Sequence, residues 1–169
     1  MWRAVQMEKI ISPLEPVYDS HSKILILGTI PSPKSREMGF YYGHPQNRFW
    51  RILSAVLQEP APQGAEQRAA YVRRHGIALY DVLRTCEIQG ASDASIQNPV
   101  ASDLCPIFRA AQIRAVFTTG KKAAALYKKY QQQRTGMPAL LLPSPSPANC
   151  AASMQSLVEA YRLILQYLR

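Results

Sequence analysis

The densest chemistry in the chain lies in one short run, Phe40-Tyr41-Tyr42-Gly43-His44-Pro45-Gln46-Asn47-Arg48-Phe49-Trp50, where aromatic rings, amides and a cation stand together. Such a set grips a flat polar ring, because aromatic faces stack on it while fixed donors and acceptors read its edge. Asn47 offers a carboxamide that donates and accepts without titrating near neutral pH. Such an amide could hold a water or bond the edge of a ring, and the residue type does not choose between the two roles. The same residue precedes a helix-like run from Arg48, and Asn is a preferred helix cap, so capping competes with catalysis. Of the adjacent tyrosines, one belongs in the core and one, taken as Tyr42, in a pocket. His44, before Pro45, reads by itself as a hydrogen-bonded loop histidine. Phe49 and Trp50 read as core anchors.

Two loops carry complementary chemistry. Gly28-Thr29-Ile30-Pro31-Ser32-Pro33-Lys34-Ser35 leads into the aromatic run. Pro143-Ser144-Pro145-Ser146-Pro147-Ala148-Asn149 alternates three prolines with two serines, a stiff loop whose hydroxyls and backbone N–H groups suit phosphate. Asp81 and Asp93 could together activate water or stabilise an oxocarbenium ion. By position, however, Asp81 reads as a turn or helix cap, and Ser92-Asp93-Ala94-Ser95 as another cap. His21, His44 and His75 lack metal-ligand spacing, and Cys86, Cys105 and Cys150 are widely spaced and read as buried thiols, so neither metal nor cofactor is expected. Lys34 is the only lysine near the first loop, and a Schiff-base lyase is not favoured. Lys121-Lys122 and Lys128-Lys129 form either a basic stripe or a solvated helix face.

The elements that must hold these loops are legible as an alternation. Strand-like runs at Lys23–Gly28, Ile77–Tyr80, Ala115–Thr119 and Ala139–Pro143 are separated by helical periodicity, which predicts a parallel α/β sheet of about four strands. Helical stripes run through Phe49, Trp50, Ile52, Leu53, Val56 and Leu57, through Leu126 and Tyr130, and through Leu157, Val158, Tyr161, Leu165 and Leu168. Pro60-Ala61-Pro62-Gln63-Gly64 reads as a surface loop between helices. In such a sheet ligands bind at the carboxyl ends of the strands, where both loops fall. With 169 residues, 47% of them hydrophobic, the chain suits one domain spanning 1–169, and a monomer is expected. Twenty Lys and Arg against eleven Asp and Glu give +9, the electrostatic footprint of a polyanion binder. No apolar run approaches the roughly 20 residues of a membrane span, and Met1–Lys9 lacks a signal-peptide core, so a cytoplasmic location is expected.

The combination of Leu27-Gly28-Thr29-Ile30-Pro31-Ser32, Tyr41-Tyr42-Gly43-His44-Pro45-Gln46-Asn47-Arg48-Phe49-Trp50 and Leu142-Pro143-Ser144-Pro145-Ser146-Pro147-Ala148-Asn149 resembles the uracil-DNA glycosylase superfamily, and within it the hypoxanthine-DNA (DNA-deoxyinosine) glycosylase branch. The resemblance implies a three-layer fold, a short, mainly parallel sheet between helices. It also implies hydrolysis of the N-glycosidic bond of a deaminated base flipped out of DNA, hypoxanthine first and uracil second, with xanthine open, leaving an abasic site for base excision repair. Asn47 falls on the catalytic Asn of that branch, and His44 would stabilise charge on the leaving base. Tyr42 falls where the stacking ring lies, and Gly28, Thr29, Ile30, Pro31 and Ser32 would contact the base or water. Ser144, Pro145, Ser146 and Pro147 would grip phosphates, with Ala148 and Asn149 entering the space the base vacates. Two positions depart from other branches: Ile30 stands where the mismatch-specific branch has a water-positioning Asn, and Leu142 where the best-known members have His or Asn. Two further readings share these residues: a hydrolase or transferase of free nucleosides, and a non-catalytic nucleic-acid-binding module.

Overall fold

Four apolar runs become the four strands of one parallel sheet. The computed structural model describes residues 6–169; the first five residues of the Met1–Lys9 segment lie outside the described residues. In chain order the elements are β1 (Glu8–Ile11), β2 (Ile24–Gly28), α1 (Pro33–Met38), α2 (Phe49–Leu57), α3 (Gly64–Arg74), β3 (Ile77–Asp81), β4 (Leu83–Gln89) and β5 (Ser92–Ala101). They continue as α4 (Cys105–Ala110), β6 (Ala115–Thr119), α5 (Lys121–Tyr130), α6 (Gln132–Thr135), β7 (Ala139–Leu142), α7 (Met154–Tyr161), a 3₁₀ turn (Arg162–Ile164) and α8 (Leu165–Leu168).

The parallel sheet has the order β3-β2-β6-β7, with Ile24 opposite both Ile77 and Ala115. Ile24, Leu25, Ile26 and Leu27 have no solvent exposure, as befits a central strand covered on both faces. Helix α2 buries the expected stripe of Phe49, Trp50, Ile52, Leu53 and Val56 and packs against α7, which buries Leu157 and Tyr161. Helix α3 covers β3, and α5 covers β6 and β7. On α5 Leu126 is buried and Tyr130 half-buried, while Lys121, Lys128 and Lys129 are solvated.

A second sheet, unforeseen in the sequence, is antiparallel with the order β1-β4-β5. Its outer strand β5 reads Ser-Asp-Ala-Ser-Ile-Gln-Asn-Pro-Val-Ala and is mostly exposed, so it carries no hydrophobic period. Pro99, register shifts against β4 and a left-handed Asn98 (φ 48°) mark it as an irregular edge. The sheets meet where the chain turns from β3 into β4: Val82 N–H donates to Gly28 O (2.8 Å) and Leu83 N–H to Thr29 O (3.0 Å).

Three sequence expectations are corrected. Asp93 lies within β5 and caps no helix, and Asp81 ends β3 rather than capping a helix. Of the cysteines only Cys86 is buried; Cys105 and Cys150 are exposed because each sits at a helix start or loop on the surface. Among the described residues no helix is long and apolar enough to cross a membrane, and no group of three His, Cys, Asp or Glu is placed to hold a metal.

Candidate active site

A crevice of about 170 Å³ opens at the carboxyl ends of the parallel strands. Its lining includes Gly28, Thr29, Ile30, Pro31 and Ser32 from the loop after β2, Tyr42 and Asn47 from the aromatic run, and Ser144, Pro145 and Ser146 from the loop after β7. Three segments more than a hundred residues apart at their extremes are thus brought to one edge of one sheet, as the parallel topology requires.

The floor is formed by the strand ends. Gly28 closes β2, and a Cβ there would lie 2.7 Å from Asp81 Oδ1 and 3.5 Å from the Tyr42 hydroxyl. A side chain at position 28 and the carboxylate at 81 therefore exclude one another. Asp81 is 5% exposed, and its Oδ2 has no hydrogen-bond partner among the described residues. Burial, reinforced by the charge of Asp93, pushes its carboxyl from the ordinary 3.8 up to about 8. Thr119, at the end of β6, shares a 3.3 Å hydrogen bond with the Tyr42 hydroxyl.

The aromatic run supplies the side. Tyr41 is core, its hydroxyl donating to Glu15 O (2.7 Å), while Trp50 Nε1 donates to Tyr41 O (3.1 Å). Tyr42 is half-buried and stacks on Phe49, with ring centroids 3.8 Å apart and planes at 17°. Its backbone is left-handed (φ 52°), unusual for an aromatic residue and held by that stack and the Thr119 contact. Burial, with Asp81 adding to it, holds the Tyr42 phenol well above its ordinary range, so the ring is neutral.

Asn47 braces the start of α2 and stands on the crevice. Its Oδ1 accepts from Phe49 N–H (2.9 Å) at the start of α2, and the residue also lines the crevice. Because a backbone N–H must meet the amide oxygen, the amide's orientation follows, and the Nδ2 protons make no hydrogen bond among the described residues.

Arg48, named in the sequence only as a cation and the start of a helix-like run, ties the Pro-Ser loop to the aromatic run. Its guanidinium donates to Ser146 O (2.9 Å), Asn149 O (2.9 Å) and Ala152 O (2.6 Å), and its backbone N–H to Pro145 O (3.1 Å). The Pro-Ser loop is also braced from within. Ser144 Oγ accepts from Ser146 N–H, Ser146 Oγ from Ala148 N–H, and Asn149 Nδ2 donates to Ser144 O. These amides are thus already satisfied, while each serine hydroxyl, used as an acceptor, keeps its proton to donate outward.

Several expected residues stand elsewhere or have second tasks. His44 does not line the crevice; its Nδ1 accepts from Gln46 N–H (3.0 Å). Pro147, Ala148 and Asn149 lie beyond the lining, on the outer part of the loop. Ser32 lines the crevice but also caps α1, accepting from Ser35 N–H (3.2 Å). Asp81 and Asp93, which the sequence reading weighed as a pair but preferred as caps, both line the crevice, and the wall that β4, β5 and their turn contribute through Ile88, Gly90 and Ala91 was not foreseen. Asp93 Oδ2 accepts from Thr29 Oγ1 (3.4 Å); desolvation of its carboxyl raises its pKa, opposed by that hydroxyl and by Lys122. A signal for Asp81 was available: an acid directly ending a wholly apolar strand run is placed where a carboxylate is costly.

Architecture and crevice together define an α/β protein with an open crevice at the carboxyl edge of its parallel sheet. A family model described as the Uracil DNA glycosylase superfamily matches residues 15–169, and the chain belongs to that family. A protein of Methanosarcina acetivorans named hypoxanthine DNA glycosylase is 31% identical over 137 residues, covering 79% of this chain and 84% of that one. One of the same name from Methanosarcina barkeri is 31% identical over 115 residues, 64% of this chain and 70% of its own. The solution NMR structure of a candidate uracil DNA glycosylase from Methanosarcina acetivorans superposes with a TM-score of 0.74 at 27% identity, covering 89% of this chain and 96% of that one. The α/β fold and the superfamily expected from the motifs are those found.

Proposed function

We propose that the protein is a monofunctional DNA glycosylase that takes a deaminated base, hypoxanthine first, out of the duplex and hydrolyses its N-glycosidic bond to leave an abasic site. The observation that carries this reading is the meeting of Asn47, Tyr42 and the two loops around one crevice at the strand ends. The names of the two Methanosarcina relatives support hypoxanthine as the base.

In this reading the base lies against the Tyr42 ring, whose opposite face is stacked on Phe49. Asn47, its Oδ1 fixed by the Phe49 amide, donates from Nδ2 to the base edge as negative charge develops there. The backbone of Gly28–Ser32 meets the base or the attacking water, and the Ser144 and Ser146 hydroxyls donate to phosphate. Ala148 and Asn149, on the outer loop, occupy the gap left in the stack. His44 would help hold charge on the base only by moving toward the crevice from its contact with Gln46. No lysine is among the lining residues, which supports hydrolysis by water over a Schiff-base route. Extrusion costs roughly a few kcal/mol and least for damaged pairs, which favours deaminated bases.

The test uses labelled oligonucleotides carrying a single hypoxanthine, uracil or xanthine, treated with alkali to reveal abasic sites. Cleavage at hypoxanthine is expected. Cleavage at uracil alone would keep the family and reject the base, and DNA binding without cleavage at any of the three would mark a binding module.

A further inference from the structure

We propose that Asp81 is the general acid of the reaction, delivering its carboxyl proton to the departing base as the glycosidic bond breaks. This rests on the reading of the crevice as the base site. Asp81 is buried at the crevice floor, its Oδ2 has no partner among the described residues, and nothing but the hydrogen of Gly28 separates Oδ1 from the adjoining strand end. A buried carboxyl without a partner is costly, and such groups gather where chemistry uses them.

Among the other lining groups, Asp93 is the second carboxyl, but its Oδ2 already accepts from Thr29 Oγ1 and it feels the charge of Lys122, and Asn47 and Tyr42 have no proton to give near neutral pH. The Asn47 amide does not titrate, and burial holds the Tyr42 phenol well above its ordinary range. The groups facing Asp81 are Asp93 from β5, Tyr41 and Tyr42 from the run before α2, and the Thr119 hydroxyl from β6; Arg36 from α1 lines the same crevice, and Lys122 from α5 acts on Asp93. Burial and Asp93 together keep the acid protonated up to about pH 8.

In the step, the C–N bond breaks with its electron pair passing to the base. The Asp81 proton moves to a ring nitrogen conjugated with that pair, so the base leaves neutral. The new carboxylate then faces the positively charged sugar, an arrangement that favours the transition state over the ground state. Water adds hydroxide to the sugar carbon and releases a proton, and solvent restores the proton to Asp81.

Single-turnover cleavage of a hypoxanthine oligonucleotide by wild type and Asp81→Asn, from about pH 6 to 10, tests the step. Wild type should lose rate above about pH 8, close to tenfold per unit. Asp81→Asn, which keeps a donor but no transferable proton, should fall about 100-fold at neutral pH, lose the alkaline decline, and still bind free hypoxanthine. A variant within about threefold of wild type, or one whose residual activity keeps the alkaline decline, would overturn the proposal. A flat wild-type profile would overturn it even if the variant failed to fold. Cleavage by both proteins alike sinks Asp81 alone, whereas a wild type that cleaves no deaminated base sinks the glycosylase reading and this step with it.

Discussion

Gly28 and Asp81 form one device, since the absent side chain of the first makes room for the carboxyl of the second. Gly28→Ala would put a Cβ 2.7 Å from Asp81 Oδ1, and neither the strand nor the buried carboxyl has slack. We expect a loss of about 1–3 kcal/mol of stability, as for other overpacked cores, with cleavage reduced more than DNA binding; an unperturbed melting temperature would contradict the geometry. Asp81 also makes a stability statement. A carboxyl raised above its unfolded value binds its proton more tightly when folded, so its contribution is full below the ordinary 3.8 and is lost as pH rises through about 8. Asp81→Asn should therefore be the more stable protein at pH 8 and above, and thermal denaturation showing the same decline between about pH 4 and 8 in both would refute this. Asn47 has two separable tasks. Asn47→Ala should cost about 1 kcal/mol through the lost bond to Phe49 N–H and reduce cleavage about 100-fold or more, whereas Asn47→Asp, which keeps the accepting oxygen, should recover the stability without the activity.

At the scale of elements, Arg48 is the joint between the run that carries Asn47 and the loop that carries Ser144 and Ser146. Charged donors to carbonyls are worth about 1.5–3 kcal/mol each when well formed. Arg48→Met, which keeps the stem but removes four carbonyl contacts, should cost roughly 2 kcal/mol or more and weaken abasic-site formation, with the loop becoming protease-sensitive; full activity would deny the joint. The four parallel strands were legible because a central strand buried on both faces writes a continuous apolar run, as Ile24–Leu27 does. The crevice loops were legible because each follows such a run. The antiparallel sheet was not, since β5 buries too little to leave a period and its pairing with β4 is set by tertiary contact. Arg48 stayed hidden for a related reason: a side chain bonded to main-chain carbonyls leaves no spacing to read, whereas Asp81 was named as one of a carboxylate pair but read as a cap, because an acid after an apolar run fits either.

For the whole molecule, the +9 charge sets how DNA is met. Neutralised phosphates release counterions, so the binding constant should fall with salt at a log–log slope of about −0.7 to −0.9 per phosphate contacted. Lys121, Lys122 and the Ser144–Ser146 loop lie beside the crevice end of the sheet. Binding measured across salt concentrations should show a slope of several units for an oligonucleotide and almost none for free hypoxanthine; equal slopes would point to free nucleosides as the substrate. The crevice is also built from two unequal bodies. Its floor belongs to β2, β3 and β6, hydrogen-bonded within the core, and one wall to the hairpin of β4 and β5, whose outer strand is an exposed, irregular edge. Protection against deuterium uptake should follow that division: the amides of β5 exchange through small local openings, while those of β2 exchange only when the entire domain comes apart. The mouth can then gape and reclose many times within the lifetime of an undisturbed floor.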